Sequence, residues 1–238
     1  MTSTLSPHER ILVALDYDNA TDAISLARKL VGKVGGVKVG LELINVAGFD
    51  IFARLQDAGA TRIFYDAKFH DIPNTVAGAV KAAARRGVWM VNVHAGGGSA
   101  MLDAAVSAAH SGNHVPLLIG VTVLTSLDAR ALNADMRVPG TVETHVVHLA
   151  TLAQNAGLDG VVASPLELSA IRAACGNNFV TVIPGVRPAG SSAHDQARVA
   201  TPKTAIDAGA TYLVIGRAIT GAADPVRAAA AIVDELGT

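Results

Sequence analysis

Eight times in succession, a short run of β-branched and apolar residues gives way to an alanine-rich amphipathic stretch. The apolar runs fall at 11–17, 37–41, 62–69, 89–94, 116–124, 160–163, 180–184 and 212–215. Helical spacing follows at 21–31, 49–57, 74–86, 99–109, 142–156 (after a short turn near Asp128), 165–174, 203–207 and 225–236. Near-continuous apolar runs mark parallel strands buried on both faces, since a half-exposed strand would alternate with polar residues. Ser164-Pro165 and Asp224-Pro225 set a polar cap before a proline suited to the first helical turn. Gly32, Gly59, Gly87, Gly112 and Gly157 follow helical segments, where a left-handed cap favours glycine. A doubly wound open sheet shares the alternation, but eight regular units in 238 residues favour closure. The expected fold is α/β, a single-domain (β/α)8 TIM barrel over 1–238.

Composition narrows the functional classes. With 50% hydrophobic and 16% charged residues the chain has a core to bury and is not disordered. Nineteen basic against twenty acidic residues give a net charge of −1, so no electrostatic case exists for nucleic acid. No apolar run approaches the ~20 residues of a membrane span. The first ten residues are polar and lack the apolar stretch of a secretory signal. A single cysteine, Cys175, forms no internal disulfide. The expectation is a cytoplasmic protein with neither nucleic-acid nor membrane partners.

Where charge is this scarce, its placement carries information. Active sites of such barrels lie at the C-terminal ends of the strands. Asp16 ends the first run, Lys38 lies in the second, and Asp66 and Lys68 lie in the third. Residues two apart on a strand share a face, so Asp66 and Lys68 point together into the barrel if Ile63 and Tyr65 face the helices. A lone ion pair there would read as mutual neutralisation. Four charges of alternating sign on adjacent strands read as chemistry. The seventh run ends in Pro184-Gly185-Val186-Arg187 and the eighth in Ile215-Gly216-Arg217. Barrels frequently bind phosphate after these two strands, and two guanidinium forks beside a glycine suit its oxygens.

Together these residues closely resemble the orotidine 5′-phosphate decarboxylase family of the bacterial type. The resemblance rests on Asp16, Lys38, the signature Asp66-x-Lys68-x-x-Asp71-Ile72-Pro73-Asn74-Thr75, Thr125-Ser126, Pro184 to Arg187, Asp195-Gln196 and Gly216-Arg217, in order along the whole chain. Ala67 departs from the family's usual leucine, and His194 before Asp195 is also unusual. What the resemblance implies is cofactor-independent, metal-free decarboxylation of orotidine 5′-monophosphate (OMP) to uridine 5′-monophosphate (UMP). Lys68 would protonate C6 of the pyrimidine as carbon dioxide leaves, and Asp66 would stand beside the departing carboxylate. Lys38 would bridge Asp66 and the ribose hydroxyls, with Asp16 also on the ribose. Asp71 would complete the array from the other subunit of a homodimer, with Ile72 in the same substrate-contacting segment and Thr75 crossing the interface. Thr125 and Ser126 would address the pyrimidine edge. Pro184, Arg187, Gln196, Gly216 and Arg217 would hold the phosphate. The loop from Pro188 to Thr201 would close over it as a lid.

Three other readings remain at this level. A metal-dependent sugar-phosphate decarboxylase, such as a 3-keto-gulonate 6-phosphate decarboxylase, shares the Asp-x-Lys-x-x-Asp pattern but has an acidic ligand where Lys38 stands. A Schiff-base aldolase could use Lys68, although such lysines favour neutral surroundings over flanking carboxylates. A phosphate-binding barrel without catalysis would not need the array. His94, beside Gly96-Gly97-Gly98, reads as structural or mouth-lining, His145 and His148 as surface residues, and Cys175 as packing.

Overall fold

The computed structural model describes residues 5–188 and 200–237, so Gln196, His194 and most of the expected lid lie outside the described residues. Eight parallel strands close into a barrel in sequential order: β1 (Ile11–Ala14), β2 (Gly36–Val39), β3 (Ile63–Phe69), β4 (Met90–His94), β5 (Leu117–Val121), β6 (Gly160–Val162), β7 (Val180–Pro184) and β8 (Tyr212–Ile215). β8 pairs back onto β1 through Leu12↔Val214 and its neighbours, so no edge is left open.

Helices wrap the outside: α1 (Ala20–Leu30), α2 (Leu41–Ala47), α3 (Ile51–Asp57), α4 (Pro73–Arg85), α5 (Ser99–Ala109), α6 (Val142–Asn155), α7 (Leu168–Cys175), α8 (Pro202–Asp207), α9 (Arg217–Thr220) and α10 (Pro225–Gly237). The expected caps form: Ser164 Oγ accepts from the Leu166 amide, and Asp224 Oδ1 from those of Val226 and Arg227. Two helices have no counterpart in the sequence expectations. The run at 37–41 reads as strand to its end, yet Gly40 breaks the ladder in an extended conformation and α2 starts at Leu41. α9 is a single turn after β8, too short for periodicity to reveal. Gly112 departs from its expected role, since its φ is not positive, whereas Gly32, Gly59, Gly87 and Gly157 all have positive φ.

Alternation along the strands divides the apolar residues between two cores. Ile11, Val13, Val37, Val39, Ile63, Tyr65, Val91, Val93, Leu213 and Ile215 face outward into the layer shared with the helices. Leu12, Phe64, Ile119 and Val182, from the four odd strands, face inward and share the barrel interior with Met90 and Tyr212. Such layering from alternate strands makes the barrel a packed solid rather than a pore. Each fully buried large side chain contributes roughly 1.5–3 kcal/mol. The interior is therefore sealed at mid-height, and only the two ends remain for polar chemistry.

At the N-terminal end, Trp89 and Tyr212 meet edge to face at 5.2 Å, and Arg62 lies over the Trp89 ring while facing Glu9. Nearby, Arg172 of α7 donates to the carbonyls of Phe179 and Gly209 and to Thr181 Oγ1 and Thr211 Oγ1. No helix among the described residues is long and apolar enough to cross a membrane.

Candidate active site

At the opposite end, where the strands finish, the barrel opens into a cavity of about 510 Å³, a size typical of small-ligand sites. Ala14, Asp16, Lys38, Asp66 and Lys68 line one side, and Pro184, Arg187, Gly216 and Arg217 another. Val121, Val123, Leu124 and Thr125 close it from the β5 side.

The four charges from β1 to β3 form one continuous chain. Lys38 Nζ stands 3.0 Å from Asp16 Oδ1 and 3.5 Å from Asp66 Oδ2. Lys68 Nζ donates to Asp66 Oδ1 at 2.6 Å. Parallel pairing brings these groups together, since Ala14 is level with Lys38 and Lys38 with Phe64, two residues before Asp66 on the same face. Gly40 leaves room for the Lys38 ammonium, because a Cβ at that position would sit 2.7 Å from its Nζ. Gly216 has space of another kind: a Cβ there would meet only Ala14 Cβ at 3.6 Å and Asp16 Oδ2 at 4.0 Å, so the gap faces the cavity.

Burial is unequal along the chain. The Lys38 side chain is 10% exposed and that of Asp66 14%, against 30% for Lys68 and 51% for Asp16. Burial by itself pushes the Asp66 carboxyl up. The charges of Lys38 and Lys68, with hydrogen bonds from Lys68 and Asn92, outweigh it and hold Asp66 below the usual carboxylate range. Asp66 is thus a fixed negative charge at neutral pH. Burial, helped by His70 and Lys68, pushes the His94 imidazole below its ordinary value against the pull of Asp66. The His94 ring packs 5.2 Å from that of His70 and does not line the cavity.

The route by which Lys68 reaches Asp66 differs from strict alternation. Ile63 and Tyr65 do face the helices, and Ala67 joins that same layer, away from the cavity. Lys68 itself has φ of +51°, the left-handed region that a side chain rarely enters. The register against β4 shifts at this point: Tyr65 pairs with Val91 and Phe69 with Val93, so four steps of β3 span two of β4. The strand bulges, and the bulge aims the lysine. Asn92 of β4, fully buried, accepts from the Lys68 amide at 2.7 Å and donates to Asp66 Oδ1 at 2.8 Å. It has no place in the sequence expectations. The available signal is a lone amide at an inward position of an otherwise apolar strand.

The remaining expected residues divide by location. Thr125 lines the cavity and its neighbour Ser126 does not. Asp71, Ile72 and Thr75 are exposed at and beyond the end of β3, outside the cavity, and Asp71 Oδ1 accepts from the Ile72 amide. α9 begins at Arg217 on the cavity wall, in the position of the short extra helix of phosphate-binding barrels. Cys175 packs in the outer core, His145 and His148 stack on α6, and no group of three metal-ligating side chains occurs among the described residues.

Comparison with known proteins adds independent findings. The model of the orotidine 5′-phosphate decarboxylase / HUMPS family matches residues 9–232. The chain is 52% identical over 233 residues to a protein of Moorella thermoacetica named orotidine 5′-phosphate decarboxylase, covering 96% of this chain and 92% of that one. A protein of the same name from Heliobacterium modesticaldum is 48% identical, with 96% of each chain covered. The fold is similar to the crystal structure of orotidine 5′-phosphate decarboxylase from Lactobacillus acidophilus, with a TM-score of 0.83 and 38% identity over 96% of this chain and 99% of that one.

Proposed function

The chain belongs to the orotidine 5′-phosphate decarboxylase / HUMPS family, and from that premise we propose how its barrel mouth converts OMP to UMP and carbon dioxide, the last step of de novo UMP synthesis. The observation that carries the reading is the unbroken run Asp16–Lys38–Asp66–Lys68 on one side of a cavity that holds Arg187 and Arg217 on another.

Breaking the bond from C6 to the carboxylate leaves its electron pair on C6, with no conjugated sink to receive it. The site must stabilise that charge with groups already in place. The Lys68 ammonium does so and transfers its proton to C6, forming the new C–H bond as carbon dioxide departs. Lys68 then recovers a proton from solvent. Asp66, ionised and anchored, holds the ammonium and stands beside the departing carboxylate. Lys38 joins Asp66 to the ribose hydroxyls, which Asp16 also meets. Thr125, on the cavity wall, faces the pyrimidine edge, and Ser126 follows it just outside the cavity. Pro184, Arg187, Gln196, Gly216 and Arg217 bind the phosphate, and this remote binding contributes energy that positions the reacting end.

Asp71, Ile72 and Thr75 serve the site of a second copy in a homodimer. Their exposure outside their own cavity supports this, as does the apolar surface of Ile72, Leu41 and Leu124 around the mouth. A biosynthetic enzyme of this kind works in the cytoplasm. The sugar-phosphate branch of the family is the second reading. Against it stands Lys38, whose ammonium between Asp16 and Asp66 occupies the ground that a divalent cation would need.

The direct test follows the absorbance of OMP with purified protein, with and without chelator. Turnover insensitive to chelator is expected; no turnover, or turnover abolished by chelator, would refute the reading. Mixing two inactive variants, Lys68→Ala and Asp71→Ala, tests the shared site. Random exchange makes half of the dimers hybrid with one intact site in two, restoring about a quarter of wild-type activity. No recovery after confirmed exchange would remove Asp71 from the partner's site.

A further inference from the structure

Among the described groups that the proposed chemistry leaves unused, Asn92 is wired directly into the proton donor. Its side chain is completely buried, and both ends of the amide are engaged. The backbone N–H of Lys68 can only donate, so Oδ1 of Asn92 must be the atom facing it. Nδ2 therefore faces Asp66 Oδ1 as a donor, and that oxygen must accept. One side chain thus dictates the orientation of its own amide, the acceptor state of Asp66 and the conformation of the Lys68 backbone.

The backbone contact has a distinct energetic meaning. A lysine in the left-handed region costs about 1–3 kcal/mol and persists only where surrounding contacts over-determine it. Between Tyr65 and Phe69 the β3–β4 ladder is interrupted, and the Asn92 carboxamide captures the Lys68 amide there. A buried amide is itself costly unless it is bonded. Both of these bonds run to β3, and both end on residues of the charged chain. Simple core packing would be served by an apolar side chain, as at the inward positions of Leu12, Phe64, Met90, Ile119 and Val182.

We infer that Asn92 is a positioning residue for decarboxylation: it holds the Lys68 backbone in its bulged conformation and fixes the Asp66 carboxylate, so that the ammonium is aimed at C6. The inference rests on the proposed role of Lys68. Asn92 does not line the cavity, and it acts through its two neighbours. The titratable groups around it are Asp66 and Lys68, with Lys38 beyond Asp66 and the His70–His94 pair beyond Lys68.

Two variants test it, with OMP turnover and UMP affinity as readouts. Asn92→Ala should lower kcat on the order of 100-fold, the scale of a misaimed reacting group. KM for OMP and the affinity for UMP should stay within about threefold, because the phosphate grip lies elsewhere. Asn92→Asp preserves shape and places a second carboxylate against Asp66 Oδ1. The two share a proton at low pH and repel once both ionise. This variant should therefore lose kcat as pH rises across a range where the wild type is flat. Near-wild-type kcat in Asn92→Ala, a parallel loss of kcat and UMP affinity, or a pH profile for Asn92→Asp parallel to that of wild type would each overturn the inference. Should the alanine variant fail to fold, the isosteric aspartate carries the test through its pH profile. Failure of wild-type protein to decarboxylate OMP, or full activity in Lys68→Ala, would instead break the underlying reading.

Discussion

The two ends of the barrel both hold cations close to the core, yet they satisfy them in opposite ways. At the N-terminal end, the Arg172 guanidinium is enclosed by neutral oxygens: backbone carbonyls of Gly176, Phe179 and Gly209 and the hydroxyls of Thr181 and Thr211. Its donors are consumed in stitching α7 to the starts of β7 and β8. At the C-terminal end, Lys38 and Lys68 face carboxylates, and Lys68 keeps part of its surface in an open cavity. A cation surrounded by fixed dipoles stabilises the fold and has nothing left to offer a ligand. An ammonium paired with a carboxylate beside a cavity can move a proton and answer to a new charge. The difference separates stability from function at the two poles.

Substitutions should break the symmetry in a definite order. Lys68→Ala is expected to reduce kcat by about 10⁴-fold or more, combining lost proton transfer with lost charge stabilisation. UMP should still bind to this variant, as read by calorimetry, and substantial residual turnover would dismiss Lys68 as the donor. Arg217→Ala should raise KM for OMP by about 10–100-fold and lower kcat as well, since remote binding energy is used at the reacting end. Kinetic parameters equal to wild type would remove Arg217 from the phosphate site.

Arg172→Ala reverses the pattern. Several buried acceptors lose their donor, so stability should fall by roughly 2–3 kcal/mol in denaturant titration, with kcat per folded molecule unchanged. A matching fall in kcat would show that the poles are coupled. The smallest effect is on pH dependence. Asp66 and His94 both have folded pKa values below their ordinary ones. The unfolded chain therefore binds more protons between the folded and unfolded values of each group. Their stabilisation is complete above the ordinary imidazole value of 6.5 and is lost as pH falls, first through His94 and then through Asp66. Thermal melts at stepped pH should show this decline, and His94→Gln should flatten its upper part; an unchanged slope would remove His94 as a contributor.

Much of this was legible in the residues alone, unevenly. The runs at 180–184 and 212–215 match β7 and β8 residue for residue, and the segment at 99–109 matches α5. Burial on both faces leaves an unmistakable apolar run, and a helix of three turns shows its period. Where the run at 11–17 extends past β1, the excess residues 15–17 are loop at the mouth; Leu15 is still buried, so hydrophobicity cannot mark the strand's end. The missed α2 has the same origin: Leu41 continues an apolar run in sequence, yet it starts a helix and is exposed. At the site, Asp16, Lys38, Asp66, Lys68, Arg187 and Arg217 are scarce charges at strand ends, and all line the cavity.

By itself, then, the sequence determined the barrel and the set of charged side chains at its mouth, because strand alternation and helical period are local properties of consecutive residues. Tertiary structure decided the arrangement of those charges. Period two puts Asp66 and Lys68 on one face, but the distance between them depends on a bulge, a left-handed lysine and an asparagine 24 positions further along the chain. None of these is a property of a single strand. Bulge and contact exist only once β3 and β4 lie side by side, where a neighbour's hydrogen bonds stabilise a backbone conformation that local preference would reject.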